Sequence, residues 1–434
     1  MLPRNMATIR PFRGLRFNST IGDLADIVAP PYDVISESQR DELAGQNPYN
    51  VVRLTLPEQE ADDRSKYIKY ARSASRLEEW RRDGAIQLED RPSLYRYTQT
   101  FTIPGFAAPF SRTSLIVLLK VEPYANEVVL PHEQTFPKHK EDRLRILEAT
   151  RSHLECIFGL YEDDDTSTHD AVTGAPGEPI VEITTEDDGI HHVLERISDP
   201  AHLDRIVSEM SDKKIWIADG HHRYETALSF REMQGERTGL IAEDFMMMAV
   251  CSISDPGLVL LPTHRILKTM PVDREGLLAK LKEHFDVIEI PNKDLMATID
   301  KIAQDKMIRA FGIALPGGNG LVATTKAVAE LAAQIEGPGS SNLKELDVSI
   351  LHGLIFAKVL GLTGHDFFGY TRIEQEALDA VEQGSPAAFL MNPPTVDDMR
   401  TIALGGDFMP QKSTYYYPKL LSGLVMWSLK DFDA

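Results

Sequence analysis

Two periods of hydrophobic and polar positions recur along the whole chain. Residues 94–103 alternate apolar and polar side chains, as a strand with one buried face does, whereas residues 111–121 form a nearly continuous apolar run. Between such runs, residues 62–82 and 347–360 place apolar side chains three and four positions apart, which predicts amphipathic helices. Because strands and helices interleave throughout, the pattern predicts a mixed α/β or α+β fold.

Shorter segments give further expectations. Residues 51–56 alternate as a half-buried strand, with Arg53 on its polar face, and residues 180–184 and 190–194 predict a hairpin. The Gly-rich residues 316–320 predict a hairpin turn, since neither the Lys-Ser/Thr of a phosphate-binding loop nor a following helix is present. The acidic residues 162–165 and the Gly/Pro-rich residues 173–179 predict a flexible stretch.

One stretch near the middle of the chain combines both periods with reactive side chains. Residues 215–218 are strand-forming, Asp219 and Gly220 break the run, and helical spacing follows. The turn therefore lies at a helix N-terminus, where backbone N–H groups and the helix dipole favour an anion such as phosphate. His221, His222 and Arg223 add hydrogen-bond donors and positive charge. We expect a polyphosphate site here; the alternative is a structural turn in which Asp219 caps the helix.

Two acidic residues are candidates for catalysis or for metal binding. Asp33 follows two prolines, and a carboxylate on a stiff loop suits a general base or a magnesium ligand, although a plain turn residue is the alternative. Glu133 lies in a loop of imidazoles and cations, residues 132–143, that suits gripping a phosphoryl group and its metal. The spacing of that loop is not a zinc motif, and a solvated loop with weak salt bridges is the alternative.

A third cluster lies near the C-terminus. Lys412, Ser413 and Thr414 precede three tyrosines, Lys419 and the apolar residues 420–429. The amine and the hydroxyls would complete a phosphate or substrate pocket, or the segment forms a structural turn.

Composition narrows the class of protein. Asp and Glu outnumber Lys and Arg by 66 to 46, and the formal net charge of −20 disfavours binding to nucleic acid or anionic membranes. Two cysteines in apolar runs predict reduced core residues. Residues 1–16 contain no apolar stretch typical of a signal peptide, so we expect a cytoplasmic protein. A homo-oligomer is compatible with the sequence.

Several blocks of the sequence resemble known families. The turn DGHHR at residues 219–223 resembles the signature of free serine kinases, which belong to the ParB-like and sulfiredoxin superfamily. Nearly the whole chain resembles a bacterial and archaeal domain-of-unknown-function family, number one thousand and fifteen. The matching blocks are APPYDVI (29–35), NPYNVVRL (47–54), HEQT (132–135), DRL (142–144), the central turn and MPQKSTYYYPKL (409–420).

The resemblance implies an enlarged ParB/sulfiredoxin-like core in residues 1–270, with nucleotide and phosphate binding, and a second α/β domain in residues 271–434. It also implies a kinase that uses Mg²⁺ with ATP or ADP to phosphorylate a small hydroxylated metabolite, free L-serine being favoured. Gly220, His221, His222 and Arg223 would then hold phosphates, and Asp219 would hold the metal, shared with Glu133, or orient a histidine. Asp33 or Glu133 would take the hydroxyl proton, although the base of the kinases is a glutamate. A nucleotide-binding regulatory protein and a phosphohydrolase are the other functions considered.

Overall fold

The structure, a computed structural model, describes residues 6–104, 106–135, 137–364, 366–410 and 412–433, with the side chains of residues 137–139 left out. It contains interleaved helices and strands, which confirms the mixed α+β prediction. The chain forms two compact units. The N-terminal unit comprises Met1–Pro131, Thr135–Val259 and Pro418–Ala434, and the C-terminal unit comprises His132–Gln134 and Leu260–Tyr417.

The N-terminal unit is built on one large mixed sheet. In spatial order, its strands are Val129–Leu130, Ile215–Asp219, Ile157–Tyr161, Phe245–Ser252, Phe110–Lys120, Leu94–Phe101, His191–Ile197 and Glu178–Thr184, and Ile9–Arg10 pairs with Phe110–Lys120. Two of these pairings are parallel, Ile215–Asp219 with Val129–Leu130 and Phe245–Ser252 with Ile157–Tyr161. Two small additional sheets pair Leu15–Phe17 with Ile86–Leu88 and Ser152–His153 with Trp427–Ser428.

The sheet forms because its central strands are apolar on both faces. Every residue of Phe245–Ser252 is buried, including the three methionines, which pack in the core. The predicted hairpin is also present, because Glu178–Thr184 and His191–Ile197 pair in antiparallel fashion. Cys156 and Cys251 are both free thiols.

Amphipathic helices surround the sheet of the N-terminal unit. Ile68–Arg82 buries Tyr70, Leu77 and Trp80 on one face, which confirms the amphipathic helix predicted within residues 62–82. The α-helices of this unit are Glu37–Gln46, Val52–Thr55, Ile68–Arg82, Pro137–Thr150, Ser167–Gly174, Pro200–Met210 and His221–Glu232. The 3-10 turns are Ser19–Ile21, Leu24–Asp26, Tyr32–Val34, Tyr124–Asn126, Ala242–Asp244 and Leu429–Asp431.

The prediction of a strand at residues 51–56 is wrong, because Val52–Thr55 is a short helix. Asn50 lies fully buried at its start, accepts a hydrogen bond from the Val52 N–H and donates to the carbonyls of Asp26 and Val28. Such local side-chain bonds favour a turn over an extended strand. Arg53 donates to the Ala44 carbonyl and so serves to hold two helices together.

The stretch predicted to be flexible is also largely ordered. Ser167–Gly174 is a helix, and the strand Glu178–Thr184 follows it closely. Asp163 is fully buried and accepts hydrogen bonds from the backbone N–H groups of Thr168 and His169 at 3.1 and 2.8 Å. One member of the acidic run thus satisfies the first turn of a helix, where a negative charge is stabilising.

The C-terminal unit contains an antiparallel sheet of its own. Its strands, in spatial order, are Asp286–Pro291, Asn319–Thr325, Arg309–Ala314, Ala387–Leu390, His264–Leu267 and Phe368–Thr371. Arg309–Ala314 and Asn319–Thr325 form the hairpin that the Gly-rich turn predicts. The remaining short strands of the chain are Val259–Leu260 and Tyr416–Tyr417.

Helices of the C-terminal unit include one unusual element. Its α-helices are Arg274–Leu281, Leu295–Ile302, Val328–Ala332, Ser341–Lys344, Asp347–Ile350, Glu374–Glu382 and Val396–Leu404, and Asn292–Asp294 is a 3-10 turn. The helix predicted from residue 347 begins as an α-helix and continues as a π-helix over Leu351–Val359. No helix in the described parts of the chain is both long and apolar enough to cross a membrane.

Two glycines test the packing of the N-terminal unit. A Cβ at Gly257 would lie 2.3 Å from the backbone carbonyl of Ser111, whereas a Cβ at Gly45, in the helix Glu37–Gln46, would meet nothing within 4 Å. We expect Gly257→Ala to destabilise the unit by about 1–3 kcal/mol and Gly45→Ala to stabilise it by about 0.5–1 kcal/mol.

The measurement is urea unfolding followed by tryptophan fluorescence. Trp80, Trp216 and Trp427 are the three tryptophans of the chain, and all belong to the N-terminal unit, so their emission reports on that unit. Equal midpoints for the two alanine variants would contradict the described packing at Gly257.

Candidate active site

The strand–turn–helix predicted at the middle of the chain is present. The strand Ile215–Asp219 leads through Gly220 into the helix His221–Glu232. Gly220 has a φ of 96°, a conformation that side chains with a Cβ rarely adopt. A Cβ at this position would also lie 2.9 Å from a guanidinium nitrogen of Arg223, so both backbone conformation and packing require glycine.

Arg223 places a buried positive charge directly at this turn. Its Nη1 donates to the Cys156 carbonyl at 2.7 Å, and its Nη2 lies 3.6 Å from Asp219 Oδ2. Burial by itself would lower the pKa of Arg223, but the carboxylates of Glu155, Asp219 and Asp33 raise it overall. Its Nε is buried with no hydrogen-bond partner among the described residues.

A network of buried charges fixes the loop that carries Asp33. Glu155 Oε1 accepts from the Tyr32 N–H and from the Ser422 hydroxyl, both at 3.1 Å. The Arg143 guanidinium lies 3.9 Å from the centre of the Tyr32 ring and pairs with Glu155 Oε2 at 3.4 Å. Burial raises the pKa of Tyr32 to about 12, although Arg223 and Arg143 oppose the shift. Contacts to both the backbone N–H and the ring of Tyr32 thus hold the loop in place.

Asp33 combines solvent access with an unfavourable setting for its charge. The residue is exposed, yet surrounding protein displaces part of its hydration. This desolvation raises the pKa of Asp33 above its ordinary value near 3.8, and repulsion from Asp219 raises it further. Arg223 and Lys419 oppose the shift. Asp33 is therefore easier to protonate than an ordinary surface aspartate.

Lys419 reaches the site from the C-terminal segment of the N-terminal unit. Its Nζ lies 3.2 Å from Asp219 Oδ1. Two side chains from neighbouring strands hold its backbone: Gln99 Nε2 donates to the Lys419 carbonyl at 3.0 Å, and Arg112 Nη2 donates to the Pro418 carbonyl at 2.6 Å. Arg112 is fully buried, so this attachment is shielded from competing water.

The structure brings Asp33, Asp219 and Arg223 of the predicted set into one electrostatic cluster. We call these three residues, together with Lys419, the charged cluster. His221 and His222 form the first helical turn beside it; His221 is buried, and the His222 carbonyl accepts from the Thr226 hydroxyl.

The other predicted residues belong to the C-terminal unit. Glu133 is half-buried and forms a backbone bridge with Met409. Lys412 is exposed with a φ of 58°, and the Ser413 hydroxyl donates to the Pro410 carbonyl. Thr414 Oγ1 lies 3.0 Å from His132 Nε2. The roles proposed for Glu133, Lys412, Ser413 and Thr414 remain predictions.

Sequence reasoning missed four residues that shape the site. Glu155, Arg143, Arg112 and Gln99 are distant from the central turn in sequence, and Arg143 and Gln99 lie among other polar residues, in EDRLR and TQT. Arg143 is indicated only by the DRL run of the family resemblance. A buried charge is costly without a partner, so a charged residue inside an apolar strand, such as Arg112, is the one signal that could have indicated such a role.

The donor atoms of the charged cluster show whether it suits a metal ion. Within the described ranges, no group of three or more His, Cys, Asp or Glu side chains is arranged to hold a metal ion. Mg²⁺, however, is commonly held by one or two carboxylates together with substrate phosphates. The repelling carboxylates of Asp33 and Asp219 are oxygen donors of the kind that this ion prefers, so the residues present fit Mg²⁺ in company with a phosphate ligand.

The packing of Arg223 on Gly220 generates one prediction. Gly84 also has a positive φ, 78°, but a Cβ there would meet nothing within 4 Å, so Gly84→Ala measures the conformational cost alone. We expect Gly220→Ala to destabilise the N-terminal unit by about 1–2 kcal/mol more than Gly84→Ala, because the guanidinium must move away from the Cys156 carbonyl. Urea unfolding followed by tryptophan fluorescence measures the difference. Equal costs would show that the guanidinium does not pack on the turn.

The titration of Asp33 gives a second prediction, with opposite signs for two variants. Asp219→Asn removes a repelling charge and should lower the pKa of Asp33, whereas Lys419→Met removes an attracting charge and should raise it. Carbon-13 NMR of labelled aspartate carboxyl groups, with the Asp33 signal assigned by its loss in Asp33→Asn, measures both shifts. Shifts of the same sign in the two variants would contradict the cluster.

Comparisons with known proteins place the chain in a family. The family described as "Protein of unknown function (DUF1015)" matches residues 9–349. No curated protein matches the chain.

Similar solved structures include a free serine kinase mutant in complex with ADP, with 14% identity, a TM-score of 0.35, and coverage of 73% of this chain and 92% of that chain. A conserved hypothetical protein from Pyrococcus furiosus has the same identity and TM-score and is covered over 97% of its length, against 73% of this chain. SbnI with a C-terminal truncation, from Staphylococcus aureus, has 11% identity, a TM-score of 0.33, and coverage of 74% and 90%. Similarity at this level does not specify the activity of this chain. The match over most of its length does specify the family, and the chain belongs to the DUF1015 family.

Proposed function

We propose that the protein is a nucleotide-dependent phosphotransferase that phosphorylates the hydroxyl group of a small metabolite, with free L-serine as the first candidate. The observation that carries the proposal is the charged cluster, in which an accessible carboxylate with a raised pKa lies beside a second carboxylate and two cations at a helix N-terminus. The resemblance of residues 219–223 to the free serine kinase signature supports ATP or ADP as the phosphoryl donor.

Asp33 is the proposed general base. A base works best when its pKa is close to the operating pH, and both desolvation and Asp219 move the pKa of Asp33 upward in that direction. Its position on a loop fixed by Glu155 and Arg143 limits its motion, and its exposure lets a substrate hydroxyl approach. These properties are those required of a carboxylate that accepts a proton from an attacking hydroxyl group.

The helix start and Lys419 are the proposed phosphate-binding groups. The first N–H groups of the helix His221–Glu232 and its dipole favour an anion, and Gly220 permits close approach to the backbone. Lys419 forms an ion pair with Asp219, and phosphate oxygens can replace that carboxylate as its partner. Arg223 adds positive charge from beneath the turn, and His221 and His222 are proposed as further donors.

Asp219 is the proposed magnesium ligand of the N-terminal unit, and Glu133 is the candidate magnesium ligand of the C-terminal unit. When bound, Mg²⁺ would neutralise charge on the phosphate oxygens of the nucleotide. Lys412, Ser413 and Thr414 are proposed to contact phosphate or substrate through their amine and hydroxyl groups.

The chemistry needs little beyond this positioning. The substrate oxygen forms a bond to the terminal phosphorus of the nucleotide, the bond from that phosphorus to the bridging oxygen breaks, and the hydroxyl proton passes to Asp33. The nucleotide leaves with one phosphate fewer. Phosphoryl transfer of this kind depends mainly on alignment and charge neutralisation, which a base, two cations and a helix N-terminus supply.

The direct test is phosphorus-31 NMR of the purified protein with Mg²⁺ and ATP or ADP, with and without L-serine and a mixture of small hydroxylated metabolites. We expect a new phosphoester signal with the active acceptor. Asp33→Asn should reduce its formation by at least about 100-fold, in line with the usual contribution of a general base, while nucleotide binding is retained. Asp212→Asn is the matched control, because Asp212 is an exposed carboxylate of the same unit.

The same variant has a diagnostic effect on stability. Because the pKa of Asp33 is raised in the folded state, its ionised form is disfavoured there, so the wild type loses stability as the pH rises above about 3.8 and through the folded pKa. Asp33→Asn should therefore be more stable than the wild type at neutral pH and equal to it in strong acid.

Nucleotide resonances that shift without consumption would assign a regulatory, non-transferring role instead. Phosphate release that needs no acceptor would indicate a phosphohydrolase. Transfer that continues unchanged in Asp33→Asn would refute Asp33 as the base.

A further inference from the structure

In the described part of the C-terminal unit, two arginines of its sheet region form no ion pair with a carboxylate. Arg265 lies on the strand His264–Leu267, next to the edge strand Phe368–Thr371, and is only 1% exposed; Arg372 directly follows that edge strand. Among the described residues, neither makes an ion pair with Asp or Glu, whereas Arg274 and Arg309 of the same unit do. In a chain with a net charge of −20, two adjacent uncompensated cations are unexpected.

Neutral acceptors surround the Arg265 guanidinium. Its Nε donates to His352 Nε2 at 3.2 Å, its Nη1 donates to the Thr263 carbonyl, and its Nη2 donates to the Lys412 carbonyl at 3.3 Å. Its carbon lies 5.7 Å from the centre of the Tyr370 ring. These contacts fix the orientation of the guanidinium, but they leave its charge without a counter-ion.

The strand register brings Arg372 to the same face of the sheet. Arg265 pairs with Tyr370, and His264 pairs with Thr371, in antiparallel register. Thr263 and Arg372 lie one position beyond these paired strands. Continuing the alternation of side chains by that one position puts both on the face that carries Arg265 and Tyr370. The charge of Arg372 also contributes to lowering the pKa of Arg265, after the larger effect of burial.

Two hydrogen-bonding groups on this face lack a partner. Thr263 is 2% exposed, and its Oγ1 has no hydrogen-bond partner in the described part of the chain. The buried Nε of Arg372 is likewise without a partner, while its guanidinium carbon lies 4.4 Å from the centre of the Tyr415 ring. Buried donors are rarely left unsatisfied in folded proteins, so both groups indicate a missing acceptor.

We infer that Arg372, Arg265 and Thr263 form a binding site for the oxyanion of a small molecule, a phosphate or a carboxylate group. Arg372 and the Thr263 hydroxyl donate hydrogen bonds to the oxyanion, and Arg265 supplies the second positive charge from the centre of the strand. An oxyanion satisfies both unpartnered donors and neutralises the two cations, which neutral acceptors cannot do. The same Arg265 holds the Lys412 carbonyl, so occupation of the site also bears on the backbone that precedes Ser413 and Thr414.

None of the three residues of this site is among those proposed to take part in phosphoryl transfer. All of its residues belong to the C-terminal unit, whereas the charged cluster belongs to the N-terminal unit. An anion site can therefore exist without kinase activity, and kinase activity can exist without it.

The test is a titration of the full-length protein followed by nitrogen-15 NMR of the arginine Nε–H groups. Inorganic phosphate is added in one arm and succinate in the other, at constant ionic strength. The Arg372 signal is assigned by its loss in Arg372→Gln. We expect a saturable shift of the Arg372 Nε–H, and the arm with the lower dissociation constant identifies the preferred oxyanion. The Nε–H of Arg274, which pairs with Glu289 in the same unit, should not shift.

Two further variants test whether the shift of the Arg372 signal arises from oxyanion binding at this site. Thr263→Val removes only a hydroxyl without a partner, so the melting temperature should stay the same or rise, while oxyanion affinity falls about five- to tenfold, as expected for loss of one hydrogen bond to a charged group. Lys419→Met, which alters the charged cluster, should leave the Arg372 titration unchanged. No saturable shift with either anion, a parallel shift of Arg274, or unchanged affinity in Thr263→Val would overturn the inference.

Discussion

The buried guanidinium of Arg223 is the interaction on which the N-terminal site depends. It lies against Gly220, bonds to the Cys156 carbonyl and interacts electrostatically with Glu155, Asp219 and Asp33. This cation, with Lys419 beside Asp219 and Arg143 beside Glu155, offsets the repulsion among three carboxylates in a poorly solvated region. These charges together allow a helix start, a strand end and the Tyr32 loop to meet.

The cations near Asp33 only partly offset the effects that raise its pKa. Its pKa is raised even though two cations are close, because desolvation and Asp219 outweigh them. Such a carboxylate costs stability at neutral pH, and residues that cost stability commonly have a functional reason to be present. Arg112, a fully buried cation, donates to the Pro418 carbonyl and to Gln99 Oε1, and Gln99 donates to the Lys419 carbonyl. These bonds place Lys419 beside Asp219.

The elements that could be predicted from the sequence are those that depend on short-range patterns of residues. The strand Ile215–Asp219, the turn at Gly220 and the hairpin of Arg309–Ala314 with Asn319–Thr325 follow from short-range periodicity and turn residues. Residues 51–56 were misassigned because the side-chain bonds of Asn50 to distant carbonyls override an alternating pattern. The hydrogen bonds from Gln99 and Arg112 that hold the backbone at Lys419 could not be predicted, since they join strands near residue 100 to a segment more than 300 positions later.

A crystal structure of the Asp33→Asn protein with ADP and Mg²⁺ tests the central claim, that the charged cluster binds nucleotide phosphates, most directly. The account predicts the terminal phosphate at the start of the helix His221–Glu232, within hydrogen-bond distance of Lys419 Nζ, with Asp219 released from that lysine. Nucleotide bound at any other place in the molecule, or a cluster that keeps its Lys419–Asp219 pair intact at saturating nucleotide, would contradict it.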